Sequence, residues 1–164
     1  MPELPEVETI ARELDARLSG CSISSVRVLR GDVLRGATPE QLVSATVGTS
    51  VLRVWRRAKT AILSLSGGFH LLVQPRFTGA VLVLQPGGSS LGEAPEPMPT
   101  TPDDDEFATI VWTLAGGGAF WYRDVRRLGT VTLVDTAGLE RYAQRLGPEP
   151  LDPGFDAARL SGLL

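Results

Sequence analysis

The chain has one cysteine, one histidine and one lysine in 164 residues. With Cys21 alone, no disulfide can form within the chain. With His70 as the sole imidazole, no Cys/His zinc site can be assembled from these positions. No apolar run approaches the ~20 residues that a membrane-spanning helix needs. The opening MPELPEVETIARELDARL carries acids early and has no apolar core, so it does not read as a signal peptide, and a cytoplasmic location is expected. Scarce lysine does not mean scarce positive charge. Lys59 is accompanied by 15 arginines, a skew that reads as a coding bias, and a lysine that survives it is a candidate for chemistry.

What is present is globular: 43% hydrophobic and 21% charged residues, in a length that suits one domain with a buried core. The net charge of −3 argues at face value against a nucleic-acid partner. Its distribution argues otherwise. Six of the 19 acids and none of the 16 bases fall in 86–106, which leaves 13 acids against 16 bases, or +3, elsewhere. Phosphate binding depends on a local patch, so the global figure decides little.

Apolar residues Leu4, Val7, Ala11, Leu14 and Leu18 recur at helical spacing and predict an amphipathic helix over 4–18, with Gly20 as a stop. Short β-runs follow at 23–29, 51–57, 60–65, 70–73, 81–84, 109–114, 119–122 and 130–134, with Gly67-Gly68 and Gly116-Gly117-Gly118 as turns. Shorter helices are expected over 40–45 and 139–146. The pattern predicts a mainly β fold with flanking helices, a two-layer β-sandwich whose N-terminal helix carries Pro2. The polar, proline-rich 86–106 reads as a long mobile surface loop whose deletion should matter little. The expected division is a sandwich domain at 1–136, then a helix and the start of a linker at 137–164.

Five motifs carry chemistry: MPELPEVET at the start, RRAKT at 56–60, PRFTG at 75–79, YRDVRRLG at 122–129 and LGPEPL at 146–151. In that order they resemble the signature of the formamidopyrimidine-DNA glycosylases and span nearly the whole chain. The resemblance implies a DNA repair glycosylase and AP lyase. Such an enzyme excises oxidised purines from damaged duplex DNA through a Schiff base at the N-terminal proline, followed by β-elimination.

The physics of the first residues is compatible. Initiator methionine is readily removed before a small residue, leaving Pro2 with a secondary amine. A free α-amino group titrates near ~8, and a helix N-terminus lowers that further. An amine that attacks a sugar C1′ leaves a cationic iminium, an electron sink that makes the 2′ proton acidic.

The resemblance makes Glu3 a proton donor and acceptor around the sugar, and Lys59 a proton donor near phosphate. It sets Arg126 into the duplex opposite the extruded base and Arg127 near phosphate. Glu6 is expected to help hold the sugar or a water, and Arg56 and Arg57 to add to a phosphate strip. Asp124 is expected to pair with an arginine.

Plainer readings stand beside these. Pro2, Glu3 and Glu6 also suit an ordinary helix start, Lys59 a solvated turn, and Arg56 and Arg57 a solvated strand edge. Departures from the family pattern are specific. Phe77 stands where a wedge methionine is common and Leu128 where a phenylalanine is, so both are apolar candidates to fill the gap left by a flipped base, or else core residues. Asp105 falls near a DNA-contacting histidine, and that contact is expected to be lost. The family's helix–two-turn–helix region and zinc finger are not among these 164 positions, so no cofactor is expected in the chain. It is expected to act as a monomer. The alternatives are a non-catalytic damaged-DNA-binding fragment and, sharing only Pro2, a tautomerase.

Overall fold

The computed structural model describes residues 2–87, 90–91 and 99–163. Helix α1 spans Leu4–Leu18 and buries Val7, Ala11, Leu14 and Leu18, the stripe that its spacing predicts. Strand β1 is Ile23–Val28, β2 Leu34–Arg35, and helix α2 Pro39–Thr46. Strands β3 Val51–Arg57, β4 Thr60–Leu65, β5 Phe69–Gln74 and β6 Gly79–Leu84 follow, then β7 Ser90–Leu91. The order ends with β8 Ala108–Leu114, β9 Ala119–Asp124, β10 Thr130–Asp135, α3 Thr136–Gln144 and α4 Ala157–Ser161.

The strands make two five-stranded sheets, ordered β1-β8-β9-β6-β7 and β2-β10-β5-β4-β3. Every pairing is antiparallel except the short β10–β2 contact. Ile110, Trp112, Phe120 and Tyr122 of the first sheet meet Leu63, Leu71, Val73 and Val131 of the second in one core. Trp112 and Phe120 stack there, centroids 4.8 Å apart.

Alternation along β8 and β9 puts Val111 and Trp121 on the opposite face, and these are buried as well, with Leu82 and Ala119. Part of what covers that face overturns the expectation of a free loop at 86–106. Pro102–Asp104 forms a short 3₁₀ turn with Pro102 buried. Asp105 is buried too and accepts hydrogen bonds from Trp121 Nε1 (2.8 Å) and Arg123 Nε (2.9 Å). A run of acids suggested solvent, but one of them is the partner of a buried arginine. The rest of that expectation, at 88–89 and 92–98, lies outside the described residues.

Helix α3 packs on β10 and β5, and its Tyr142 hydroxyl donates to Thr60 Oγ1 (2.7 Å). The chain after α3 stays held to the sandwich as far as Glu149, as shown below. No helix among the described residues is long and apolar enough to cross a membrane.

Candidate active site

Helix α1 runs antiparallel along β3, an edge strand, and four contacts mark the way. Gly20 N–H donates to Val51 O, and Val54 N–H donates to Asp15 Oδ1 at 2.7 Å. Glu8 then meets Arg56, and Glu3 Oε2 lies 2.9 Å from Lys59 Nζ. The helix therefore delivers its N-terminus, with half-buried Pro2 just ahead of it, to the turn that carries Lys59. Glu3 is the N-cap, and a capping box joins it to Glu6, whose carboxylate accepts the Glu3 backbone N–H. Glu6 thus bonds back to the helix start and fixes it. The hydrogen bond and charge of Lys59, with a smaller contribution from the chain terminus, hold the Glu3 carboxyl below its ordinary range.

Lys59 stands on the two-residue turn between β3 and β4, where Ala58 adopts a left-handed φ of 51°. Such a backbone costs a residue with a Cβ about 1–2 kcal/mol, and surrounding bonds must hold it. Arg56 supplies one, donating from Nη1 to Ala58 O (2.9 Å). Its Nε bonds Glu8 (2.7 Å) and its Nη2 bonds Glu149 (2.5 Å). All three nitrogens of Arg56 bond within the protein and its side chain is only 2% exposed, so the expected phosphate contact is corrected to this buried network. Arg57 is corrected likewise: Nη1 bonds Glu149 (3.0 Å) and Nη2 bonds Gly147 O. Burial alone would raise the Glu149 carboxyl, but hydrogen bonds from Arg56, Arg57 and the Leu151 and Ala58 amides bring it down to about 2.

The second half of the site comes from two neighbouring loops. Ala61 pairs with Val73 and Gln74 with Thr130, so the Lys59 turn and the loops after β5 and β9 lie at one end of the sandwich. Phe77 (φ 50°, 56% exposed) and Leu128 (43% exposed) project there as exposed side chains, which excludes the core-packing reading. The Arg126 guanidinium lies 5.1 Å over the Phe77 ring, and Arg127 pairs with Asp32 at 2.9 Å.

Asp124 joins these loops through hydrogen bonds where an arginine partner was expected. It accepts from Thr78 Oγ1 (2.6 Å), Tyr122 OH (3.1 Å), Gly129 N–H (2.8 Å) and Arg126 N–H (3.1 Å). Burial would raise its carboxyl, yet the bonds from Thr78, Gly129, Tyr122 and the Arg127 backbone hold it below the ordinary range. Burial also raises the Tyr122 hydroxyl, helped by the Asp124 charge, so it stays a donor. The glycines that close two motifs leave room for this hydroxyl: a Cβ on Gly79 or on Gly129 would collide with Tyr122 Oη.

The sequence model described as the formamidopyrimidine-DNA glycosylase N-terminal domain matches residues 1–131. The chain belongs to that family. Formamidopyrimidine-DNA glycosylases of Cereibacter sphaeroides and Caulobacter vibrioides are each 39% identical to it, over 100% and 98% of the chain. It spans about half the length of these relatives, 56% and 55%. Lactococcus lactis Fpg with abasic-site DNA superimposes with a TM-score of 0.76 at 29% identity, over 94% of this chain and 53% of that one. A complex of the same protein with N7-benzyl-Fapy-dG DNA also gives 0.76, over 94% and 52%.

Of the family-derived residues, the structure brings together Pro2, Glu3, Glu6 and Lys59 in one place. Phe77, Arg126, Arg127 and Leu128 gather at the loops. Asp105, expected at a lost DNA contact, is buried on the outer face of the first sheet. Glu8 and Glu149 lie inside matched motifs, but nothing in their spacing shows that both reach one arginine. Among the described residues no three His, Cys, Asp or Glu side chains group to hold a metal ion.

Proposed function

We propose that the protein is a DNA glycosylase and AP lyase of base excision repair, acting on oxidised purines such as 8-oxoguanine and formamidopyrimidines. The observation that carries this reading is the Glu3–Lys59 pair at 2.9 Å beside Pro2, facing the same end of the sandwich as the exposed Phe77, Arg126 and Leu128. Relatives crystallised with abasic and Fapy-dG DNA support damaged DNA as the partner. The reading has the protein act as a monomer in the cytoplasm, on an extruded nucleotide whose vacated space Phe77 and Leu128 fill.

With Met1 removed, the Pro2 nitrogen attacks C1′ as the C1′–base bond breaks, and the base leaves with the electron pair and takes up a proton. Opening of the C1′–O4′ bond, with a proton to O4′, gives the iminium. Loss of the C2′ proton and departure of the 3′-phosphate then cleave the strand. Glu3, a carboxylate in the free protein, begins as the proton acceptor, and the Lys59 ammonium donates. Arg126 offers donors to the orphaned base edge.

Borohydride trapping on an abasic duplex tests this. The expected result is a covalent adduct with protein whose intact mass begins at Pro2, weakened in Pro2→Gly and abolished by acetylating the terminus. Retention of Met1, no adduct, or trapping that survives acetylation would each overturn the reading, the last pointing to Lys59 as the amine.

A further inference from the structure

We infer that Glu149 is a positioning residue for Lys59, acting through Arg56 and Arg57 to hold the turn on which the lysine stands. The inference rests on the reading of Lys59 as the donor in the elimination. Three observations lead to it. Both Glu149 oxygens are taken up by the two guanidiniums, Oε1 by Arg56 and Oε2 by Arg57. Arg56 passes the constraint on through its bond to Ala58 O, and Glu149 Oε2 faces the Ala58 N–H at a longer 3.4 Å. Ala58 is the left-handed residue directly before Lys59, so the peptide groups on both sides of that strained φ are addressed from one carboxylate.

Lysine has a flexible four-carbon stem, so its backbone is the stiff part of its placement. Without Glu149, the buried Arg56 keeps only the Glu8 carboxylate as counter-charge, and its hold on Ala58 O competes with a swing toward that side. The turn then loosens where Nζ must stay near Glu3. Glu149 follows α3 and belongs to neither sheet. The register of the lysine therefore depends on the docking of a segment outside the sandwich, and whatever displaces 147–151 releases it.

A plainer alternative is that Glu149 only fastens that segment. Single-turnover elimination at an abasic site, measured beside borohydride trapping, separates the two in wild type, Glu149→Gln, Lys59→Ala and the double variant. Positioning through Lys59 predicts that Glu149→Gln slows elimination about tenfold or more while trapping stays within about twofold, and adds nothing in the Lys59→Ala background. Glu149→Asp, which keeps the charge, should restore part of the rate and serves if the glutamine variant does not fold. An unchanged rate, or the same slowing without Lys59, overturns the inference. Backbone order parameters at Ala58 and Lys59 decide it without any activity. They should fall from about 0.85 toward 0.6 in Glu149→Gln while β4 stays rigid, and unchanged values overturn the inference. Failure of the wild type to trap would defeat the glycosylase reading alone, since the order parameters still report on the turn.

Discussion

Tyr122 sets the spacing of two loops with one hydroxyl. Its oxygen occupies the space that a side chain on Gly79 or Gly129 would need, and it donates to Asp124. Gly129→Ala puts its Cβ against that hydroxyl and 2.8 Å from Gln74 O, so something must shift. We expect a loss of about 1–3 kcal/mol in urea unfolding, partly recovered by adding Tyr122→Phe. Additive effects of the two substitutions would show that the hydroxyl is not the obstacle. Residue identity in the motifs was legible, but partners were not. Arg56 and Arg57 read as a basic strip because the carboxylates that neutralise them lie 48 and 92–93 positions away. Lys59, whose partner also comes from a matched motif, could be placed from the resemblance alone.

The elements differ in how far sequence could define them. α1, β3 and β4 have the predicted limits because stripe, turn and cap agree there. The two-residue strands β2 and β7 carry no period of their own and exist through their neighbours β10 and β6. The 3₁₀ turn at Pro102–Asp104 was hidden by composition, since proline and acids signal solvent wherever they fall. Its consequence is testable on Asp105. Asp105→Ala leaves Arg123 buried without its counter-charge and Trp121 Nε1 without an acceptor. It should cost about 3–5 kcal/mol in urea or thermal unfolding. A loss below about 1 kcal/mol would restore the picture of an unattached loop.

Across the whole molecule the exposed arginines are scattered, and few cations remain for phosphate at the loop end of the sandwich. With Arg56 and Arg57 committed, exposed Arg76, Arg126 and Arg127 are left around the loops, and Arg127 must first leave Asp32. With Lys59 held by Glu3, the slope of log affinity against log salt should be no steeper than about −3, measured by fluorescence anisotropy. Acid should act through the same commitments. Carboxyls held below their ordinary range in the folded state stabilise it fully above their unfolded values and lose that contribution as pH falls. For Glu149 the window runs from 4.5 down to about 2. Urea midpoints should therefore drop through it, with a shallower decline in Glu149→Gln. Equal declines would show that the ion pairs of Glu149 with Arg56 and Arg57 contribute nothing. Helix α1, finally, covers the backbone of an edge strand and answers the Val54 amide with Asp15. Loss of this helix would leave the outer edge of β3 as an unpaired ladder open to recruitment by other chains, so one element both shields the molecule from self-association and brings Pro2 to the Lys59 turn.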